Sequence, residues 1–299
     1  MSTYIGRFAP SPSGPLHAGS LIAAMASYLD ARAHGGRWLV RMEDIDEARS
    51  VAGAAASILD TLAALGMVSD AAVLVQSQRW DIYARAFAQL AGHTYPCGCS
   101  RREIADSRIG LAADGSAIYP GTCRAGLAPG KSTRALRLKV PAAGEPNEAI
   151  VFEDRWQGPM QQHLAAEAGD FVLFRADGFW AYQLAVVVDD AAQGITHVVR
   201  GLDLLESTGR QIYLQRLLHL STPQYLHVPV LCNDAGEKLS KQTGAAALDV
   251  GQPVRMLEAA ARFLGLDVAG APTTTQFWAR AVPAWEKRLL QMSQFRRAC

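Results

Sequence analysis

The stretch from Ile5 to Ser20, Ile-Gly-Arg-Phe-Ala-Pro-Ser-Pro-Ser-Gly-Pro-Leu-His-Ala-Gly-Ser, constrains this chain more than any other. A short apolar run ending at Phe8 reads as a strand entering a core. Three prolines and two glycines then break the chain, and Leu21-Ile22-Ala23-Ala24-Met25 opens a helical pattern. A strand, a turn of small residues and a helix N-terminus together make an anion site, because unsatisfied backbone N–H groups point at whatever binds there. His17 adds a side-chain donor at the helix mouth, and Gly19 lets a flat ligand approach the backbone. Taken alone, His17 reads as a structural histidine; the whole string is what carries the constraint.

The elements that follow alternate strand and helix. The first helix, Leu21 to about His34, stops at Gly35-Gly36, and Trp38–Met42 reads as a buried strand ending in Glu43-Asp44-Ile45-Asp46. An Ala-rich helix runs from about Val51 to Leu65, and a second follows with Trp80, Tyr83, Phe87 and Leu90 at helical spacing. This order predicts a parallel α/β sheet whose ligands sit at the carboxyl ends of the strands. No Gly-x-Gly-x-x-Gly and no Gly-x-x-x-x-Gly-Lys-Ser/Thr occurs, so a bound nucleotide must rely on the opening stretch. The net charge of +1 excludes a global basic field, and RNA contact must use local patches. No apolar run reaches the roughly 18 residues of a membrane span, and a signal-peptide pattern is missing. A cytoplasmic location is expected, without membrane contact.

Between about 93 and 131 the periodicity fails. Cys97, Cys99 and Cys123 form a three-thiolate set among five cysteines, which favours a metal in a reducing compartment over disulfides. Structural zinc takes four ligands. His93 is the chemically ordinary fourth; Tyr119 has suggestive spacing. Beyond this insertion, strands are expected at Ala135–Val140, Ile150–Asp154, Phe171–Phe174, Ile195–Gly201 and Leu226–Leu231, with a helix from about Leu204 to Leu220. Tyr182 lies in an apolar run, where tyrosine is usually core. Arg200 closes a buried strand, and a desolvated guanidinium demands an anionic partner. Glu43, at the end of its strand, suits an ammonium group. Arg7 and Arg200 against Glu43 complement a substrate with two carboxylates and one ammonium, as in glutamate.

The string Arg7-Phe8-Ala9-Pro10-Ser11-Pro12-Ser13-Gly14 with His17-Ala18-Gly19 resembles the first signature of class I aminoacyl-tRNA synthetases, as glutamyl-tRNA synthetases carry it. Ser13 replaces that family's threonine, and Ser20 replaces the final histidine of the general pattern. Arg41-Met42-Glu43-Asp44-Ile45-Asp46, the run from Tyr182 to Asp190 and Ile195–Gly201 match further family motifs. Lys238-Leu239-Ser240-Lys241-Gln242 is similar to the second signature, Lys-Met-Ser-Lys-Ser, with Leu239 and Gln242 departing from it. The resemblance covers about residues 4–245.

The resemblance implies an α/β fold of the class I synthetase Rossmann type, with a parallel sheet. The catalytic domain would span 1–245, interrupted by a zinc-binding insertion at about 93–131, with a short helical region at 246–299 and no anticodon-binding domain. It implies glutamate binding by Arg7, Ala9, Ser11, Glu43, Tyr182 and Arg200, and ATP binding by His17, Gly19, Lys238 and Lys241. His17 and Lys241 would be catalytic, with Mg2+ accompanying the nucleotide. One structural Zn2+ per chain would sit on Cys97, Cys99, Tyr119 and Cys123. Chain length, the Cys-x-Cys…Tyr-x-x-x-Cys insertion and Lys-Leu-Ser-Lys-Gln are similar to a short paralogous group. Those enzymes activate glutamate with ATP without tRNA and transfer it to queuosine at the wobble position of tRNA(Asp). The expected partners are therefore L-glutamate, ATP and the queuosine-containing anticodon stem-loop of tRNA(Asp), bound by a monomer. Two alternatives remain: a minimal synthetase charging the 3′ end of tRNA(Glu), and a non-catalytic RNA-binding paralogue.

Overall fold

The computed structural model describes residues 3–46, 49–112, 115–232 and 248–298, with side chains described as far as residue 292. The opening stretch folds as strand, turn and helix: β1 (Ile5–Phe8), then α1 (Ala18–Ala33). The helix starts three residues before the first apolar position because His17 caps it, its Nδ1 accepting from the Ser20 N–H at 3.3 Å. It ends where Gly35 turns left-handed, at φ 58°, and the Gly36 N–H returns to the Ala31 carbonyl at 2.8 Å. Nearly every face of α1 is buried, from Leu21 and Ile22 through Met25 to Leu29. Such burial contributes about 1.5–3 kcal/mol for each large apolar side chain.

β1 pairs in parallel with β2 (Arg37–Met42), which pairs with β3 (Leu74–Val75). α2 (Ala54–Ala64) and α3 (Trp80–Ala88) complete this half. In the second half, β6 (Ala149–Asp154) and β7 (Gly158–His163) form a hairpin, followed by the short α5 (Leu164–Glu167). α6 (Tyr182–Ala192), β9 (His197–Gly201), α7 (Ser207–Leu217) and β10 (Gln224–Val228) follow. β10 lies between β9 and β6, parallel to both. The halves meet at β1 and β9: the Thr196 N–H donates to the Ile5 carbonyl at 2.9 Å, and the Ile5 N–H donates to the Thr196 hydroxyl at 2.9 Å. β1 therefore has β2 on one side and β9 on the other. That is the switch point at which open α/β sheets bind ligands.

The insertion is more regular than its composition suggests. β4 (Thr94–Cys97) pairs antiparallel with β5 (Ala135–Leu138), and β5 with β8 (Phe171–Phe174). α4 (Arg101–Ser107) opens with a reciprocal capping box between Ser100 and Glu103. Tyr95, Cys97, Tyr119 and Cys123 make a core of their own there, too small to hold a fold by apolar burial alone. α8 (Pro253–Phe263) and α9 (Thr274–Ala298) pack on α1 through Leu257, Ala261, Phe277, Trp278 and Trp285, within the main core. No helix among the described residues is long and apolar enough to cross a membrane.

Candidate active site

A cavity of about 520 Å³ opens at the carboxyl ends of β1 and β9, against the N-terminus of α1. Arg7, Ala9, Ser11, His17, Gly19, Glu43, Tyr182 and Arg200 all line it, so these sequence-predicted residues are brought to one place. Lys238 and Lys241 lie outside the described residues. His17 accepts through Nδ1 from the helix it caps, which leaves its proton on Nε2. The first-turn amides of Ala18 and Gly19 have no acceptor within the helix. An anion at this mouth would thus meet oriented donors.

On one wall, Arg7 is 3% exposed and grips Asp190 of α6 with two donors, Nε to Oδ1 at 3.0 Å and Nη2 to Oδ2 at 3.3 Å. Asp190 Oδ1 also accepts from Arg41 Nη1 at 2.7 Å, and Arg41 Nη2 donates to Glu43 Oε1 at 3.1 Å. Arg41 is fully buried on β2, with Gln193 as a further acceptor at 2.8 Å. Burial alone would raise the Asp190 carboxyl, but the two guanidiniums outweigh it and hold it below the ordinary range. Glu43 goes the other way: burial raises it, and Arg41 and Arg7 only partly compensate. The count of two arginines against one acid therefore needs correction. Asp190 and Arg41 back the wall from behind without lining the cavity, and the cluster of Arg7, Arg41, Asp190 and Glu43 is balanced in charge.

The other wall carries Arg200, 4% exposed. Its Nε donates to His227 Nε2 at 2.9 Å, Nη1 to Gln211 Oε1 at 2.8 Å and Nη2 to Thr208 Oγ1 at 2.9 Å. Arg200 and His227 are register partners on the parallel strands β9 and β10. His227 Nδ1 in turn lies 2.6 Å from Asp154 Oδ2. Burial pushes His227 down to about 4 despite the Asp154 hydrogen bond, and the Arg200 charge pushes the same way. All three of these direct acceptors of Arg200 are neutral. The anion that a buried guanidinium calls for is thus left to the cavity. Tyr182, at the start of α6, has its hydroxyl raised by burial and remains protonated.

Away from the cavity, the Sγ atoms of Cys97, Cys99 and Cys123 lie within 4.8 Å of one another. Tyr119 Oη sits 3.4 Å from Cys97 Sγ and 3.5 Å from Cys99 Sγ, and it accepts from the Cys123 N–H at 2.9 Å. A tetrahedral zinc with bonds of about 2.3 Å separates its donors by about 3.8 Å, which this set fits with small adjustment. His93 is exposed and stands outside the cluster. Gly169, at φ 61°, permits the approach of this segment, since a Cβ there would stand 2.8 Å from the Tyr119 carbonyl.

Residues 5–264 match the family model of class I tRNA synthetases (E and Q), catalytic domain. The glutamyl-Q tRNA(Asp) synthetase of Janthinobacterium sp. (strain Marseille) is 67% identical over 288 residues, which cover 96% of this chain and 98% of that protein. The chain belongs to the glutamyl-Q tRNA(Asp) synthetase family. Another member, from Ralstonia nicotianae, is 58% identical over 97% of this chain and 93% of its own length. Among solved structures, glutamate–tRNA synthetase from Elizabethkingia anophelis aligns with a TM-score of 0.69 at 30% identity, over 81% of this chain. This chain spans about half of that protein, 53%. Methionyl-tRNA synthetase from Mycobacterium tuberculosis, at 14% identity and a TM-score of 0.53 over 88% of this chain and 64% of its own, shows the shared fold alone. In this member of the glutamyl-Q tRNA(Asp) synthetases, Asp190, Arg41 and His227 are the residues backing the walls that sequence reasoning missed. A histidine inside the apolar strand Leu226-His227-Val228 and an acid closing the run at Asp190 were the available signals.

Proposed function

We propose that the chain activates L-glutamate with ATP, without tRNA, and transfers it to queuosine at the wobble position of tRNA(Asp). The observation that carries this reading is the cavity itself. It opposes a carboxylate, Glu43, to a guanidinium, Arg200, whose direct acceptors are all neutral. The carboxylate and ammonium of an amino acid answer these two groups, and the choice of glutamate rests on the near-full-length relatives, which are named for glutamate and tRNA(Asp). Arg7, Ala9, Ser11, Glu43, Tyr182 and Arg200 would bind glutamate; His17, Gly19, Lys238 and Lys241 would bind ATP.

In the first step the glutamate α-carboxylate attacks the α-phosphorus of ATP, forming glutamyl-adenylate and releasing pyrophosphate. Chemistry of this kind is positioning and charge stabilisation. His17 Nε2–H and the α1 amides would face the phosphoryl oxygens, Lys241 would hold the leaving pyrophosphate, and Mg2+ would accompany the nucleotide. In the second step a queuosine hydroxyl attacks the activated carbonyl and AMP leaves, with no protein nucleophile. We assign 1–245 to the catalytic domain, with its insertion at about 93–131, and 246–299 to a helical region. Cys97, Cys99, Tyr119 and Cys123 would hold one structural zinc, supplying the insertion with a cross-link its small core lacks. The chain would act as a cytoplasmic monomer.

The test is transfer of labelled glutamate to queuosine-containing tRNA(Asp), the same tRNA lacking queuosine, and tRNA(Glu). Label on the first alone is expected; label on tRNA(Glu) would overturn the acceptor. Glutamate-dependent exchange of pyrophosphate into ATP without RNA separates this reading from a non-catalytic paralogue.

A further inference from the structure

We infer that His227 and Asp154 form a positioning pair for Arg200, fixing the direction in which its guanidinium faces the bound amino acid without neutralising it. The inference rests on the reading of the cavity as the glutamate site. Arginine has donors only, so His227 Nε2, 2.9 Å from Arg200 Nε, must present its lone pair. The ring proton then resides on Nδ1 and is donated to Asp154 Oδ2 at 2.6 Å. Asp154 is itself fixed, because its Oδ1 accepts from the backbone N–H groups of Trp156 at 2.9 Å, Gln157 at 2.8 Å and His227 at 3.2 Å. Both side chains are fully buried, so water cannot replace either one. The carboxylate thus stands one residue removed from the guanidinium. It sets the tautomer of the histidine, and the histidine orients the arginine. A carboxylate in direct contact would orient Arg200 equally well and compete with the substrate for its charge.

Asp154→Asn tests this with almost no change of shape. Three backbone donors keep the amide oxygen at the Oδ1 position, so the amide nitrogen faces His227 Nδ1. His227 Nδ1 must then accept from that amide, the ring proton moves to Nε2, and two N–H groups confront each other at Arg200. The expected result is a rise of about tenfold in KM for glutamate in pyrophosphate exchange, the effect of one lost charge-assisted hydrogen bond, with KM for ATP held within about twofold. Nitrogen-15 NMR of His227 should show the proton moved from Nδ1 to Nε2. His227→Gln, whose amide oxygen can still accept from Arg200, should stay closer to the unsubstituted protein than His227→Leu. An unaltered glutamate KM in Asp154→Asn, an unmoved proton, or equal rises in both KM values would overturn the pair's role. Failure of the unsubstituted protein to bind glutamate would overturn the reading of the cavity, and this inference with it.

Discussion

Arg7 and Arg200 face one cavity from adjacent strands, β1 and β9, yet they are held in opposite ways. Arg7 grips a carboxylate, Asp190, that a second buried guanidinium also shares. Arg200 is oriented by an imidazole, an amide and a hydroxyl. A buried, charge-paired arginine is expensive to disturb because breaking the pair strands a charge in low dielectric. A buried arginine with neutral partners carries that strain permanently and is relieved when an anion arrives. The first arrangement builds a wall, and the second builds a receptor.

The largest expected effect breaks the wall. Asp190→Ala leaves Arg7 and Arg41 without their shared carboxylate and should destabilise the fold by about 3–5 kcal/mol, read from urea denaturation. A loss under about 1 kcal/mol would mean that water or Glu43 replaces Asp190 freely, and the contrast would dissolve.

Arg200→Leu is the counter-experiment. It removes a buried charge that no carboxylate contacts but leaves three buried acceptors without their donor, so stability should fall by less than in Asp190→Ala. Glutamate binding should weaken by about 1.5–3 kcal/mol, the range for a hydrogen bond to a charged group. Calorimetric titration with glutamate reads the second effect and denaturation the first. Should Arg200→Leu unfold as readily as Asp190→Ala, the two arginines are alike and the division fails.

What the sequence disclosed follows the same division between local and distant. β1 and the turn after it were legible because proline and glycine punctuate residues 10–19. The apolar pattern puts the start of α1 three residues late, since Ala18, Gly19 and Ser20 carry no apolar period and the cap is a single histidine. The run from Phe179 to Val188 is apolar without a period, because α6 is buried on most faces, and such runs do not separate helix from strand. β7 hid behind Gly158, Pro159 and two glutamines, a composition that only an edge strand tolerates. Every candidate cavity residue within the described part came from motifs that are contiguous in the chain. The partners of Arg200 were not legible, because Thr208 and Gln211 sit on α7 and His227 on another strand. Nothing local in the sequence couples them.

Acidification should separate the two walls in order. His227 is depressed in the folded protein to about 4, so between its ordinary value of about 6.5 and 4 the unfolded chain binds the proton more readily. Its contribution to stability is complete above pH 6.5 and is lost as pH falls toward 4, at no more than ~1.4 kcal/mol per pH unit. Asp190 is also depressed, so its contribution is complete above the ordinary carboxylate value of about 3.9 and is lost as pH falls from there through the lowered value. The Arg200 wall should therefore loosen first. His197, likewise pushed to about 4 chiefly by burial, adds to the same slope, so the readout is a difference. Urea midpoints at pH 7, 6 and 5 should decline less steeply in His227→Gln than in the unsubstituted protein. Identical slopes would remove His227 from the account.

The finest test removes one neutral acceptor from Arg200 and leaves the rest. Thr208 is fully buried and accepts from Arg200 Nη2 at 2.9 Å, so Thr208→Val keeps the shape and deletes the oxygen. Arg200 retains His227 and Gln211, which hold its other two nitrogens. The cost should be about 1 kcal/mol, the net worth of one ordinary hydrogen bond, seen as roughly a fivefold weaker hold on glutamate. A receptor held by several modest acceptors should degrade by such steps, whereas a wall held by one shared carboxylate should fail at once. A collapse of glutamate binding in Thr208→Val as complete as in Arg200→Leu would show that Arg200, too, depends on a single partner.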